Sequence, residues 1–151
     1  MEPRMMEKAA FAVAGAAQAG QLGEFNYGEI WQKQYMPLNE AIKPYSPDGG
    51  YYGVTLGEGD HLVYLAGMAV EGLADLPAGA QMRQVPAARY VVFDCLVSEI
   101  GATWQAAYGQ WLPQSAFELD TGAFDFEYYP PHSGEGEMRV EIWIPVKARD
   151  A

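Results

Sequence analysis

The spacing of apolar residues divides the chain into two similar series of structural elements. In the first series, a run of small apolar residues is typical of a strand, and the next segment places Ile30, Trp31 and Tyr35 on about one face of a helix. Pro37 is expected to kink or shorten that helix. Two further strands form a hairpin around a turn at residues 57–60. The predicted order is a strand, a helix and two strands, at residues 5–19, 24–43, 51–56 and 61–71.

The second series repeats this order. Residues 81–96 contain an extended segment whose centre is rich in β-branched and aromatic residues. Ser98 is placed to cap a second helix over residues 99–112, which ends before Pro113. The last two strands are predicted at residues 124–129 and 138–146.

The two series also share sequence. The pattern Trp-Gln-x-x-Tyr occurs at residues 31–35 and again at residues 104–108, an offset of 73. Residues 64–70 align with residues 140–146 at an offset of 76. Shared order and shared sequence together indicate an internal duplication.

We therefore predict an α+β fold made of duplicated βαββ units, with repeats at about residues 5–72 and 81–147. The units are related by a pseudo-twofold axis. They form an antiparallel sheet with the helices on one side and a ligand cleft between the halves. A chain of 151 residues accommodates this as one domain, residues 1–151.

Composition limits the possible ligands. Twenty Asp and Glu against nine Lys and Arg give a net charge of -11, which argues against direct nucleic-acid binding. One cysteine, Cys95, and two histidines do not supply a standard zinc site, so we expect no metal. Gly57 and Gly59 lack the basic residue that a phosphate-binding loop needs, and no cofactor is predicted.

Residues 9–20 imitate the apolar part of a signal peptide. The preceding eight residues carry two acids that cancel two bases, whereas a secretory signal begins with net positive charge. No apolar run approaches the roughly 18 residues needed to span a bilayer. We expect a cytoplasmic protein without membrane contact, with a signal peptide as the alternative.

The last strand carries the first candidate site. Alternation directs its aliphatic residues toward the helices and places Glu141 beside Trp143 on the opposite face. An acid among apolar residues calls for a cationic ligand, a catalytic role or a partner, and Arg139 on the same face is the alternative partner. The repeat alignment sets Trp143 opposite Gly67, which suggests a flat slot for an apolar ligand.

Aromatic residues on the helices are the second candidate. Trp104, Tyr108 and Trp111 follow a helical stripe, and Tyr35 lies at the matching position of the first helix. Such stripes are typical of a core, but aromatic faces around a carboxylate also bind lipophilic cations. Glu127 could supply a second acid near Glu141 or lie exposed on its strand.

Several short segments, in this order, carry a family resemblance: residues 89–93, Tyr108 with residues 111–115, residues 126–128 and residues 141–146. Together they resemble the GyrI-like small-molecule-binding family, which includes the effector-binding domains of AraC-type and MerR-type drug-responsive regulators. The resemblance implies a ligand cleft for lipophilic cations with an acid at Glu141. No helix-turn-helix segment is seen beside the domain, which predicts a stand-alone member.

Three functions follow. The first is a binding module for lipophilic, cationic small molecules. The resemblance also implies two alternatives: a hydrolase of strained cyclopropane-type electrophiles with Glu141 as general base, and a protein-binding inhibitor of the gyrase type. The predicted ligand-binding residues are Glu141, Trp143, Trp104, Tyr108, Trp111 and Tyr35.

Overall fold

A single antiparallel sheet frames the molecule in the computed structural model, which describes residues 2–21, 23–131 and 138–149. The strands are β1 Arg4–Lys8, β2 Phe11–Gly20, β3 Tyr51–Glu58, β4 His61–Val70, β5 Gln81–Val85, β6 Ala88–Leu96, β7 Phe117–Leu119, β8 Phe126–Tyr129 and β9 Arg139–Ala148. Their spatial order is β1-β6-β9-β8-β3-β4-β2-β5, and β7 pairs with β9. The predicted hairpin at residues 51–71 is confirmed.

The strand order is symmetric about the β3·β8 pair. The inner strands of the two halves are equivalent: β4 and β2 follow β3 on one side, and β9 and β6 follow β8 on the other. The outer strands are exchanged, because β1 pairs with β6 and β5 pairs with β2. The α+β fold with two pseudo-symmetric halves is therefore confirmed, while the exact repeat bounds stay a prediction.

The first helix spans residues 27–45, close to the predicted 24–43. It begins at an Asn26 cap, whose side-chain Oδ1 accepts a hydrogen bond from the Glu29 N–H at 3.1 Å. Pro37 lies in a 3₁₀ turn of this helix, where the hydrogen-bond pattern tightens. The successive turns are α-helical at Tyr27–Glu29, π-helical at Ile30–Tyr35, 3₁₀ at Met36–Leu38, α-helical at Asn39–Ile42 and 3₁₀ at Lys43–Tyr45.

The second helix spans residues 97–114 and is longer at both ends than predicted. The Glu99 carboxylate accepts a hydrogen bond from the Leu96 N–H at 2.7 Å, so Glu99 closes the first turn. Ser98 lies inside that turn rather than before it, and Pro113 lies within the last turn. The turns are 3₁₀ at Val97–Glu99, α-helical at Ile100–Ala106, π-helical at Ala107–Trp111 and α-helical at Leu112–Gln114.

The expected single strand at residues 5–19 is wrong in one respect. The chain leaves the sheet at residues 9–10, so that β1 and β2 join different halves. Both segments are extended and apolar enough to be strands, and the pattern carries no information on their partners. The short strand β7 was not predicted.

Both helices pack on the same face of the sheet, as predicted. Ile30 and Tyr35 pack with residues of β2 and β4, and Ala107 and Leu112 pack with residues of β6 and β9. The opposite face carries its own buried cluster, which includes Trp143. The sheet therefore separates the helix side from the Trp143 side.

Strands β2 and β4 approach unusually closely at Gly15 and Gly67, which pair with each other. A Cβ atom at Gly67 would lie 2.0 Å from the carbonyl oxygen of Ala14. The backbone of Ala14 and Gly15 therefore occupies the space where a side chain at Gly67 would lie. The slot expected between Trp143 and Gly67 is therefore absent, and the Trp143 ring stacks on Phe126 at 5.3 Å instead.

Candidate functional site

A cavity of about 360 Å³ lies between the first turns of the two helices, above the central strands of the sheet. This volume falls in the range of small-molecule sites. Both halves contribute to it, which agrees with the predicted cleft. The lining residues are Tyr27, Gly28, Trp31, Tyr64, Ile100, Gly101, Trp104, Glu127 and Tyr129.

Aromatic side chains form most of the cavity wall. The Trp31 Nε1–H donates a hydrogen bond to the Tyr64 hydroxyl at 3.1 Å, which ties the first helix to β4. The Trp31 ring meets Tyr129 edge-on at 5.9 Å, and Tyr27 meets Tyr64 edge-on at 4.8 Å. These contacts fix the rings before any ligand arrives.

Glu127 supplies the acid of this cavity. It lies on β8, directly across the ladder from Gly53 on β3. A Cβ atom at Gly53 would lie 2.2 Å from the Tyr64 hydroxyl oxygen, so glycine makes room for that phenol at the centre of the sheet. The Tyr129 hydroxyl donates a hydrogen bond to Glu127 Oε2 at 2.8 Å.

The environment of Glu127 disfavours its charged form. Desolvation by the surrounding protein raises the pKa of the carboxyl to about 7, and the nearby Asp125 charge acts in the same direction, against the hydrogen bond from Tyr129. No Lys, Arg or His forms an ion pair with Glu127 in the described residues. Within the described part of the chain, the cavity acid therefore has no cationic partner.

Asp125 is a second shielded carboxyl, two residues before Glu127. Burial raises its pKa, and the Tyr108 hydroxyl of the second helix donates a hydrogen bond to its Oδ2 at 2.5 Å. Tyr108 is therefore connected to the region of Glu127 by its hydrogen bond to Asp125, although Tyr108 itself does not line the cavity.

Glu141 lies on the other face of the sheet. Its carboxylate accepts one hydrogen bond from the Trp143 Nε1–H, at 2.9 Å, and pairs with Arg4 Nη2 at 3.3 Å. Arg4 also pairs with Asp94, the residue across the ladder from Glu141. The cationic partner comes from β1, not from Arg139 as the alternative supposed. The sheet separates Glu141 and Trp143 from the helix aromatics, so the predicted residues do not form one site.

The remaining predicted residues divide between the cavity and the core. Trp104 lines the cavity and stacks on Tyr108 at 5.9 Å. Tyr35 is fully buried and its hydroxyl donates to Asn39 Oδ1 at 2.9 Å. Trp111 packs edge-on against Phe93 at 5.6 Å. Tyr35 and Trp111 therefore pack in the hydrophobic core on the helix side of the sheet and do not line the cavity.

Sequence reasoning left Glu127 undecided and missed Tyr27, Tyr64 and Tyr129. The repeat contained a usable signal, because Trp31 and Trp104 are equivalent in the Trp-Gln-x-x-Tyr pattern and both line the cavity. Alternation supplied a second signal. Phe126 belongs to the apolar cluster on the far face, which turns Glu127 toward the helices.

A duplicated antiparallel sheet with a cavity shared by its halves defines the class of protein: a GyrI-like effector-binding domain, which is a module for small molecules. Comparison with known families agrees. The chain belongs to the Cass2 family of integron-associated effector-binding proteins, whose family model matches residues 4–146.

Similar proteins are known from several bacteria. The transcriptional regulator BrlR of Pseudomonas aeruginosa is 27% identical over 151 residues, which cover 97% of this chain and 56% of that protein. The chain thus spans little more than half the length of that relative. The solved structure of SAV2435 bound to tetraphenylphosphonium has a TM-score of 0.77 at 22% identity, covering 97% of this chain and 94% of the other.

A transcription regulation protein from Staphylococcus aureus MU50 has a TM-score of 0.73 at 21% identity, covering 98% and 99% of the two chains. These likenesses extend over nearly the whole chain and confirm the GyrI-like fold. Within the described ranges, no helix is both long and apolar enough to cross a lipid bilayer.

Proposed function

We propose that this protein binds lipophilic cations in the cavity between its two helices, with Glu127 as the countercharge. The observation that carries the proposal is the Glu127 carboxyl, which faces an aromatic cavity and has no cationic partner among the described residues. An unpaired shielded carboxylate is costly, and a bound cation removes that cost.

The aromatic wall supports the same ligand class. The faces of Trp31, Trp104 and the neighbouring tyrosines attract a cation through their quadrupoles and offer apolar area to its organic substituents. The similar protein SAV2435 was solved with tetraphenylphosphonium, a cation of this class. This agreement supports the proposal at the level of ligand chemistry.

The test compares two probes of similar size and different charge. Methyltriphenylphosphonium carries a permanent positive charge, and triphenylphosphine oxide is neutral. We expect isothermal titration at pH 8 to show clearly tighter binding of the phosphonium ion. Equal affinities would contradict the role of Glu127 as countercharge, and no binding of either would contradict the cavity as a ligand site.

The two alternative functions stay predictions. The structure places Glu141 against Arg4, so a general base at that position would have to act from within an ion pair. Mass spectrometry of a recovered ligand distinguishes binding from hydrolysis, because a hydrolase would return a hydrated product. Gyrase-type inhibition would be recognised by an effect on supercoiling that survives the loss of cavity binding.

The pH dependence of cation binding follows from the raised pKa of Glu127. The carboxylate form is the one that a cation prefers, so affinity for methyltriphenylphosphonium should rise with pH through about 7. Between pH 8 and pH 5 we expect a fall of up to about 100-fold, since a group with this pKa is almost fully protonated at pH 5. Triphenylphosphine oxide should show little change.

The stability of the empty protein should change in the opposite direction. A carboxyl whose pKa is raised above its unfolded value binds its proton more tightly in the folded state. The resulting stabilisation is complete below pH 4.5 and is lost as the pH rises to about 7. Relative to a Glu127→Gln variant, the wild-type protein should become less stable across this window in urea unfolding. A constant difference between the two proteins would contradict the raised pKa.

Tyr129 should tune this titration. Its hydroxyl donates to Glu127 and lowers the pKa of that carboxyl. In Tyr129→Phe, the pH midpoint of cation affinity should therefore move upward by about one unit, the size expected from losing a hydrogen bond to a charged group. Tyr45→Phe, at the exposed tyrosine that ends the first helix, is the control and should leave the midpoint in place. An unchanged midpoint in Tyr129→Phe would show that this hydrogen bond does not act on the charged form.

A further inference from the structure

The cavity entrance is framed by equivalent residues of the two helices. The first helix contributes Tyr27, Gly28 and Trp31, and the second contributes Ile100, Gly101 and Trp104, each displaced by 73 positions. All six line the cavity. Both glycines are exposed, whereas Tyr64 is buried, so the two halves place a glycine at equivalent points on the solvent side of the cavity, here called the entrance.

Neither glycine is required by the protein itself. A Cβ atom at Gly101 would meet no heavy atom within 4 Å, and one at Gly28 would meet only Asn26 Oδ1 at an ordinary 3.8 Å. Neither residue is among those with positive φ. Glycine in a helix interior is less favourable than alanine by about 1 kcal/mol, so Gly101 in particular is a destabilising choice without a packing reason.

Spacing shows where side chains at these positions would lie. Residues three apart on a helix share a face, so a side chain at Gly28 would project beside Trp31, and one at Gly101 beside Trp104. Both tryptophans line the cavity. Larger residues at either glycine would therefore lie beside these tryptophans and narrow the opening between the two helices.

We propose that Gly28 and Gly101 keep the entrance wide and so let the cavity admit cations with several bulky aryl groups. This inference rests on the proposed function, and it assigns the ligand size that the same cavity accepts. A cation with one aryl group can reach Glu127 through a narrower entrance. A tetra-aryl cation needs the space that both glycines leave open.

The test uses Gly28→Leu, Gly101→Leu and the double variant with two probes, tetraphenylphosphonium and benzyltrimethylammonium. Gly109→Leu is the matched control, because Gly109 lies in the second helix, has no heavy atom within 4 Å of its Cβ position and does not line the cavity. Affinity is measured by isothermal titration, and melting temperature verifies folding.

We expect the double variant to bind tetraphenylphosphonium at least about tenfold more weakly, in the range that small steric changes in a pocket produce. Benzyltrimethylammonium should stay within about twofold of the wild type, and the melting temperature should stay equal or rise, since leucine is the better helix former. Gly109→Leu should change neither affinity.

Two outcomes would overturn the inference. One is a double variant that is folded and binds tetraphenylphosphonium like the wild type. The other is an equal loss of affinity for both probes, which would mean that the substitutions disturb the surroundings of Glu127 rather than the entrance. Failure of the proposed function gives a different result, because the wild-type protein itself would then bind neither cation.

Discussion

Replacing Glu127 with glutamine is expected to lower the affinity for tetraphenylphosphonium by about 100-fold at pH 8. Glutamine has almost the same shape and its amide oxygen can still accept the Tyr129 hydrogen bond, so the change removes charge and little else. Losing a shielded countercharge costs about 2–5 kcal/mol, and 100-fold corresponds to about 2.7 kcal/mol. Isothermal titration measures the effect directly.

Glu141→Gln is the matched control for this experiment. Glu141 is also an acid on a central strand, but it lies on the face opposite the helices and already pairs with Arg4. The same substitution there should leave cation affinity unchanged. If instead Glu141→Gln weakened binding and Glu127→Gln did not, the original assignment from the sequence would be right and the cavity acid proposed here would be wrong.

The largest loss of stability is expected from Gly15→Ala. The new Cβ atom would lie 1.9 Å from the carbonyl oxygen of Ala66, which is backbone within the β2·β4 ladder and cannot turn aside like a side chain. Relief requires the two strands to separate at their closest point. We expect a loss of about 3 kcal/mol or more in unfolding free energy and a melting temperature lower by roughly 10 °C.

Gly57→Ala provides the comparison for that variant. Gly57 is also a strand glycine, on β3, but its Cβ position has no heavy atom within 4 Å. Thermal melting of this variant should stay within about 2 °C of the wild type, the range of surface substitutions. A Gly15→Ala protein that melts as this control does would show that the strands are not in close contact at Gly15.

Much of the fold was predictable because the spacing of apolar residues and the turn residues specify helices and hairpins locally. Helical spacing identified both helices within a few residues, and turn residues at 57–60 identified the first hairpin. The exchange of β1 and β5 was not predictable, since a strand's own residues do not specify its neighbour. The same limit hid β7, whose three residues are too short for a periodic signal.

The site was predictable only in part, for a related reason. Alternation correctly separated the two faces of the last strand, but it does not tell which face of the sheet holds a cavity. The family resemblance favoured Glu141 as the pocket acid, and the sequence did not reveal that its cationic partner is Arg4, 137 positions away. Glu127 stayed undecided between a second acid and an exposed strand residue, because the rings that shield it, such as Trp31 and Tyr64, come from the other half.

The exchange of outer strands has a mechanical consequence for the cavity. Each half of the sheet ends in an edge strand from the other half, since β1 pairs with β6 and β5 pairs with β2. The two halves can separate only if β1 leaves β6 and β5 leaves β2. The sheet below the cavity is therefore held at both edges as well as at the central β3·β8 pair, and we expect ligands of different size to be accommodated by movement of the two helices, each of which contains a π-helical segment, at residues 30–35 and 107–111.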